Sequence, residues 1–476
     1  RPRRFGKSLL ISTLEAYFQG KRELFQGLAM EELEKEWVQH PIFHLDLNIE
    51  KYDSMESLGN ILNDNLTRWE NVYGRETSEV SFPLRFAGVI RRAHEQTGQR
   101  VVILVDEYDK PMLQAINNEE LQQEFRNTLK PFYGVLKTMD GDIKFALLTG
   151  VTKFGKVSVF SDLNNLNDIS MDNRYVALCG MTGEEIHRYF EADLRELASA
   201  QKMTYQETCD RLKESYDGYH FVENSEGIYN PFSVLNTFDK MKFGSYWFET
   251  GTPTYLVELL KKSNYNLQRI THEETDADVL NSIDSTSRNP IPVIYQSGYL
   301  TIKGFDNRFG IYRLGFPNRE VEEGFVKYLL PFYTNIDVIE SPFQIRQFVD
   351  EVEQGDYDAF FRRLQSFFAD TPYELVRDLE LHYQNVLFIV FKLIGFYVKA
   401  EYHTSQGRID LVLQTDHFIY VMEFKLEGTA EEALQQINDK HYAQAFAADK
   451  RQIFKIGINF SNETRNIEKW IVEDLQ

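Results

Sequence analysis

The chain contains 476 residues, which at roughly 100 to 200 residues per domain predicts two to four domains with cores of their own. Its 42% hydrophobic, 26% charged and 14% aromatic content excludes a disordered chain and a small disulfide-stapled scaffold. With 52 basic and 73 acidic residues the net charge is −21, which opposes non-specific binding to nucleic acid or anionic membrane.

The cysteine and hydropathy patterns favour a cytoplasmic protein. The two cysteines, Cys179 and Cys209, form no CxxC pair, so neither a disulfide framework nor a thiolate zinc site is predicted. The apolar stretch 386–398 contains Lys392 and is shorter than the roughly 20 residues of a membrane span, so we interpret it as a buried helix and expect no membrane association. The sequence opens without an initiator methionine, which we interpret as a trimmed chain.

Helical patterns alternate with short apolar runs up to about residue 180. The apolar runs at residues 42–47, 101–105 and 145–149 predict strands of a mainly parallel sheet. Thr182, with Glu185 three residues on, predicts a capping box at the start of a helix.

The remaining chain divides into two further regions. After the Asn-Pro stop in YNPFSV the pattern is mostly helical, with short strands near 298–302 and 311–314. From about residue 342, helices are followed by two alternating runs, a helix and a strand at 453–458. We therefore predict an α/β multidomain protein with three parts: an α/β domain at 1–235, a helical, winged-helix-like connector at 236–340, and a smaller α/β domain at 341–476.

The segment FGKS at residues 5–8 matches the second half of the phosphate-loop pattern GxxxxGK[ST]. In that pattern glycine lets backbone N–H groups surround phosphates, lysine meets their charge, and the hydroxyl ligates Mg²⁺. Gly6, Lys7 and Ser8 are therefore candidate ATP ligands, with Ser8 also a candidate Mg²⁺ ligand. Arg1 stands where the first glycine of the pattern belongs, so a chance match is the alternative.

In ILVDEYDKP, residues 103–111, an apolar run leads directly into Asp106 and Glu107, as in a Walker B strand. Asp106 would hold Mg²⁺, and Glu107 would polarise the attacking water. An acidic pair that only solvates a strand end is the alternative.

A third strand, in KFALLTGVTKF, ends in Thr149, Thr152 and Lys153, where a sensor of the γ-phosphate is expected. We take Thr149 as the candidate, although the choice among the three is open. Hydroxyls at a strand end also serve as simple turn formers.

The motifs RPRRFGKS, LVDEYDKP, TGVTKF, FSDLNNLNDIS, YDGYHF and IYNPFSVLN together resemble the AAA-ATPase-like family of bacterial proteins. The resemblance covers most of residues 1–235, and we therefore predict a P-loop NTPase domain for 1–235. It implies ATP binding, and it implies an arginine-rich phosphate loop in which Arg1 is expected.

The run GRIDLVLQTDHFIYVMEFK at 407–425 predicts two strands joined by a turn at 415–417. Glu423 and Lys425 are two residues apart and so share one strand face, and Asp410 lies on the neighbouring strand. Two carboxylates suit a hard cation such as Mg²⁺, and the nearby ammonium would position water, as a metal-dependent phosphodiesterase requires. Solvated charges at a sheet edge are the alternative.

Residues 375–460 resemble the PD-(D/E)XK nuclease superfamily, and TAEEALQQI adds a second predicted capping box at Thr429 and Glu432. The resemblance implies a restriction-endonuclease-like α/β domain at 341–476. It implies that Asp410, Glu423 and Lys425 form the signature, with Asp410 and Glu423 as metal ligands. It also implies roles for Glu380 on the preceding helix and Gln436 on the following one. Gln435 is a rival to Gln436, and Glu401 is a rival carboxylate; His441 and Tyr442 are candidates for the lining of the site.

Together the two sites predict an enzyme that binds and hydrolyses ATP and is coupled to a DNA endo- or exonuclease using Mg²⁺, or Mn²⁺ in its place, in DNA processing or defence. A local positive groove is predicted from four residues: Arg362, Arg363, Lys392 and Lys399. The alternatives are an ATP-dependent switch and a nucleic-acid- or protein-binding module with an inactive nuclease domain. Protein partners and self-assembly stay open.

Overall fold

The structure, a computed structural model, describes residues 1–116, 118–152, 160, 163–249, 254–281, 289–334, 336–337, 339–369, 379–405, 408–425, 427–461 and 463–475. The chain forms two units, one of Arg1–Trp247 with Glu274–Asn318 and one of Phe248–Glu273 with Arg319–Gln476. The region predicted as a connector is shared between them. The three-domain boundaries and the winged-helix-like character stay predictions.

The strands of the described residues are β1 (Ile42–Asp46), β2 (Val101–Asp106), β3 (Ile143–Leu148), β4 (Glu273–Asp276), β5 (Thr301–Asp306), β6 (Ile311–Gly315), β7 (Lys399–Ser405), β8 (Arg408–Gln414), β9 (Phe418–Lys425), β10 (Gln452–Ser461) and β11 (Asn466–Leu475). These strands form three sheets, in the orders β1-β2-β3, β4-β6-β5 and β11-β10-β9-β8-β7.

The helices of the first half of the chain are α1 (Lys7–Phe18), α2 (Ala29–Leu33), α3 (Met55–Tyr73), α4 (Phe82–Thr97), α5 (Lys110–Gln114), α6 (Glu119–Thr138), α7 (Gly183–Tyr189), α8 (Glu191–Gln201), α9 (Tyr205–Tyr216) and α10 (Pro231–Lys240). Those of the second half are α11 (Tyr246–Glu249), α12 (Thr254–Lys262), α13 (Ala277–Asn281), α14 (Ile291–Gln296), α15 (Arg319–Tyr333), α16 (Ser341–Gln354), α17 (Tyr357–Phe368), α18 (Leu379–Ile394) and α19 (Ala430–Asp439).

The first unit contains the parallel sheet predicted from the apolar runs, with β2 between β1 and β3. Every residue of β2 is buried, as expected for a strand covered on both faces. Ile11 of α1 packs with Val102 and Leu104 on one face. On the other face Phe43 stacks on Trp69 of α3, with ring centroids 4.7 Å apart. Because the strands are parallel, their carboxyl ends lie at one edge of the sheet.

The second unit contains a five-stranded sheet in which β9 and β10 are parallel and the other neighbours antiparallel. Alternation along β9 separates two faces. Ile419 and Val421 pack with Ile437 of α19, whereas Phe424 packs against Phe391 of α18. Glu423 and Lys425 continue the alternation of Ile419 and Val421, so they belong to the face that α19 covers.

Both predicted capping boxes are confirmed. The Thr182 side chain accepts from the Glu185 N–H and the Glu185 carboxylate accepts from the Thr182 N–H, and Thr429 and Glu432 do the same at α19. Each box satisfies two N–H groups that a helix start leaves without intrahelical partners.

Parts of the predicted strand order are wrong. The C-terminal order of helix, strand, strand, helix omits β7, which precedes the hairpin, and β11, which follows β10. Both are edge strands whose sequences are rich in polar residues, so their pairing depends on backbone hydrogen bonds with a neighbour. The strand predicted near residues 298–302 begins only at Thr301, because Gly298, with a φ of 88°, follows the end of α14.

Candidate functional sites

The amino end of α1 and the carboxyl end of β2 meet in the first unit. α1 begins at Lys7, directly after Gly6, whose φ of 89° lies in the left-handed region that favours glycine. The Lys7 side chain is 7% exposed, and its Nζ lies 3.5 Å from Oε1 of Glu107. Lys7 Nζ also donates to the Pro2 carbonyl at 3.1 Å. Ser8, in the same turn, is exposed. The half phosphate loop and the acidic strand are therefore in contact.

Glu107 occupies an unusual conformation and environment. Its φ of 54° is left-handed, which is uncommon for a residue other than glycine and is often found at functional sites. Burial raises the pKa of its carboxyl group; Lys7 opposes this shift, while Asp109 and Asp106 add to it. The charge of Glu107 is thus balanced mainly by Lys7.

Asp106 and Thr149 lie together at the ends of β2 and β3. Asp106 is 4% exposed, and Thr149 Oγ1 donates to its Oδ1 at 2.5 Å. The Thr149 N–H donates to the Val105 carbonyl at 2.8 Å and continues the parallel ladder. Of the other two sensor candidates, Thr152 contacts Asp109 instead, and Lys153 lies outside the described residues.

A cavity of about 180 Å³ lies beside this cluster, and Lys7, Thr149 and Cys179 contribute to its wall.

In the second unit the hairpin of β8 and β9 brings the predicted acidic positions into register. Asp410 lies directly opposite Glu423 in the antiparallel ladder. Glu423 is fully buried. Lys425 Nζ donates to Oε1 of Gln436 at 3.0 Å. Among the described side chains no group of three or more His, Cys, Asp or Glu is arranged to hold a metal ion; the Asp410 side chain lies outside them.

Two family profiles and one curated protein match this chain. Residues 1–160 match the family described as "Predicted AAA-ATPase", and residues 378–470 match the PD-(D/E)XK nuclease superfamily. An "uncharacterized protein in vnfD 5′ region" of Azotobacter chroococcum mcd 1 is 36% identical over 485 aligned positions, which cover 100% of this chain and 91% of that protein. The chain belongs to the AAA-ATPase-like family and carries a PD-(D/E)XK nuclease-superfamily domain. No solved structure matches it.

The family resemblance implied roles for residues on the two helices beside the hairpin. One of these residues contacts Lys425, and the others form hydrogen bonds within their own helices. Gln436 contacts Lys425, whereas its rival Gln435 donates to Asp439 on the exposed side of α19. Glu380 is exposed at the start of α18 and accepts a hydrogen bond from Gln384, one turn along the same helix. That contact does not place Glu380 beside Glu423 or Lys425.

His441 and Tyr442, the candidates for the lining of the carboxylate site, lie just after the end of α19. Tyr442 packs against the apolar cluster of Ile437 and Ile453, whereas His441 is exposed.

Three of the four basic residues predicted to form a positive groove pair with carboxylates: Arg363 with Glu351, Lys392 with Glu322, and Lys399 with the rival acid Glu401. Arg362 is exposed.

Searched over its described residues, this AAA-ATPase-like protein has no helix with the length and apolar character needed to cross a membrane. Two contacts were not predicted from the sequence: the ion pair between Lys7 and Glu107, and the buried hydrogen bonds that Thr152 donates to Asp109. The recurrence of Asp in LVDEYDKP was the available signal for Asp109, but its partner lies 43 residues away along the chain.

Proposed function

We propose that the first unit binds and hydrolyses ATP with Mg²⁺. The observation that carries this proposal is the contact between Lys7 at the start of α1 and Glu107 at the end of β2. The helix is 12 residues long, so its first N–H groups and dipole favour a phosphate at this end. The buried cation, the buried Asp106 carboxylate and the adjacent Thr149 hydroxyl fit a phosphate with its metal ion.

In this proposal each residue of the P-loop site has one task. The Gly6 backbone and Lys7 bind phosphate oxygens, and Ser8 and Asp106 hold Mg²⁺, which supplies charge neutralisation at the transferred phosphoryl group. Glu107 orients the attacking water and accepts its proton. Thr149, which donates to Asp106, would sense the γ-phosphate.

We further propose that the C-terminal domain is a nuclease that uses Mg²⁺, or Mn²⁺, and acts on DNA. The register of Asp410 with Glu423 supports two metal-binding carboxylates, since directly opposite residues of an antiparallel pair have Cβ atoms roughly 4.5 to 5.5 Å apart. Lys425, held by Gln436, would position the attacking water. Glu380, which accepts a hydrogen bond from Gln384 one turn along α18, would assist from that helix.

The test is an assay of ATP hydrolysis and of cleavage of linear, circular and single-stranded DNA with Mg²⁺ or Mn²⁺, with and without ATP. Asp410→Ala should reduce cleavage by at least about 100-fold, because loss of a metal ligand removes several kcal/mol of charge stabilisation. Lys7→Ala should abolish ATP hydrolysis and any ATP dependence of cleavage. Matched controls are Asp416→Ala in the hairpin turn and Lys21→Ala after α1, both exposed.

The outcomes separate the alternatives. ATP hydrolysis without cleavage of any DNA would reject the nuclease and favour an ATP-driven switch. Binding of DNA that persists in EDTA, with neither hydrolysis nor cleavage, would reject both activities and favour a binding module.

A further inference from the structure

Asp109 of the LVDEYDKP motif has no part in the phosphate chemistry proposed above, although it is one of the most buried acids of the first unit. Its side chain is 1% exposed, and it directly precedes α5. A buried carboxylate is costly unless hydrogen bonds satisfy its oxygens. Its partners therefore indicate what its burial achieves.

In the described part of the chain, the hydrogen bonds to the Asp109 carboxylate come from Val151 and Thr152, in the segment that follows β3. The Val151 N–H donates to Oδ2 at 3.1 Å, and the Thr152 N–H and Thr152 Oγ1 each donate to Oδ2 at 2.5 Å. Tyr108 makes two more contacts: its hydroxyl donates to the Thr152 carbonyl at 2.9 Å, and its N–H donates to the Thr149 carbonyl at 2.9 Å. The turn after β2 thus holds the backbone of residues 149–152 from both ends.

Gly150 shows how closely these two segments approach. A Cβ atom at this position would lie 2.3 Å from Asp109 Oδ1 and 2.8 Å from Tyr108 Cε1. Such distances are far inside van der Waals contact, so a side chain here would push the segments apart. The contact between Asp109 and the segment 149–152 therefore requires glycine at position 150.

The segment 149–152 begins with Thr149, whose hydroxyl contacts Asp106, the proposed Mg²⁺ ligand. Thr149 Oγ1 donates to Asp106, and Thr149 is three residues from the point where Asp109 holds Thr152. We propose that Asp109 is a positioning residue that fixes residues 149–152, so that Thr149 and Asp106 keep the geometry needed for phosphoryl transfer. The inference rests on the proposed ATPase function.

The experiment uses a matched pair of variants at Thr152, which is 1% exposed. Thr152→Val keeps the shape and removes the hydroxyl donor, whereas Thr152→Ser keeps the donor. We expect Thr152→Val to reduce kcat for ATP by about tenfold or more with the KM for ATP changed by less than about threefold, because misplacement of a positioned group affects mainly the chemical step. Thr152→Ser should stay close to wild type.

Asp109→Asn supplies a second variant from the other side of the contact. Its amide group has one acceptor oxygen, and its NH₂ would face the donors of Val151 and Thr152, so kcat should again fall. A wild-type kcat in both Thr152→Val and Asp109→Asn would overturn the proposal. It would also be overturned if Thr152→Ser and Thr152→Val lost activity equally, and if each loss of activity matched the decrease in Tm of that variant relative to wild type. That pattern indicates a purely structural role.

If the wild-type chain does not hydrolyse ATP, the proposed function fails and the positioning is tested separately by amide hydrogen exchange. Faster exchange at residues 149–152 in Thr152→Val, with unchanged exchange in β2, would support the role of Asp109 in holding the segment. Unchanged exchange at residues 149–152 would overturn it.

Discussion

The pairing of Lys7 with Glu107 joins two side chains that both have proposed tasks toward a nucleotide. Lys7 is nearly buried, and Glu107 has a side chain that is 21% exposed. Removal of one partner of a buried pair leaves the other charge uncompensated, so each stabilises the other in the absence of nucleotide. Phosphate would compete with Glu107 for Lys7, and binding would then leave the carboxylate available to water.

We predict that Glu107→Gln separates ATP binding from ATP turnover. Turnover should fall by about 100-fold or more, because general base catalysis commonly contributes 10² to 10⁴. Affinity for ATP should be retained, because the neutral amide no longer competes with phosphate for Lys7. Titration with a fluorescent ATP analogue and phosphate-release kinetics measure the two quantities.

The control for this variant is Glu119→Gln, at an exposed position on α6. It should leave both binding and turnover unchanged. Unaltered hydrolysis in Glu107→Gln would show that Glu107 is not the base.

Helix α19 begins with a capping box that is readable in the sequence, and it carries a side chain that contacts the carboxylate site of Asp410, Glu423 and Lys425. Its start is determined by the box of Thr429 and Glu432, and its inward face carries Gln436, which contacts Lys425. A helix that frays at its first turn would weaken the packing of Ala430 and Ala433, which are fully buried. The cap therefore indirectly supports the position of Lys425, which is proposed to orient the attacking water.

We predict that Thr429→Ala lowers the free energy of unfolding of the C-terminal unit by about 1 kcal/mol, the usual cost of losing a side-chain N-cap. Chemical denaturation followed by circular dichroism measures the change. Thr429→Ser retains the capping hydroxyl and should lose much less. An equal loss in both variants would attribute the effect to the missing methyl group rather than to the cap.

For the molecule as a whole, the net charge affects binding to DNA, and buried titratable groups make its stability depend on pH. The charge of −21 opposes DNA binding outside a local basic surface, and three of the four predicted groove residues are already paired with acids. His382 on α18 provides a response to pH, since burial, with a smaller contribution from Lys261, lowers its pKa from 6.5 to about 4.

We predict that the stability of the C-terminal unit decreases as the pH falls from 6.5 to about 4. In this window the unfolded chain protonates His382 and the folded chain does not, so the free energy of unfolding rises with pH by up to about 1.4 kcal/mol per pH unit from this group. Denaturation curves across the window measure the slope. His382→Gln should flatten it and the exposed His441→Gln should not; an unchanged slope in His382→Gln would contradict the prediction.

Sequence alone determined the features that depend on neighbours along the chain. Continuous apolar runs predicted β1, β2 and β3, and alternation of side chains predicted β8 and β9. The spacing of Thr and Glu predicted both capping boxes, because that spacing reflects the geometry of one helical turn. The motifs likewise indicated the AAA-ATPase-like family and the nuclease-superfamily domain, which the comparisons confirmed.

Only the tertiary structure decided which distant groups meet. β7 and β11 lack a strong apolar alternation and pair because a neighbouring strand offers backbone partners. The contacts of Lys7 with Glu107 and of Asp109 with Thr152 join residues 100 and 43 positions apart. Such distances along the chain carry no periodic signal, and the energy of each contact depends on burial that only the packed sheet and helices create.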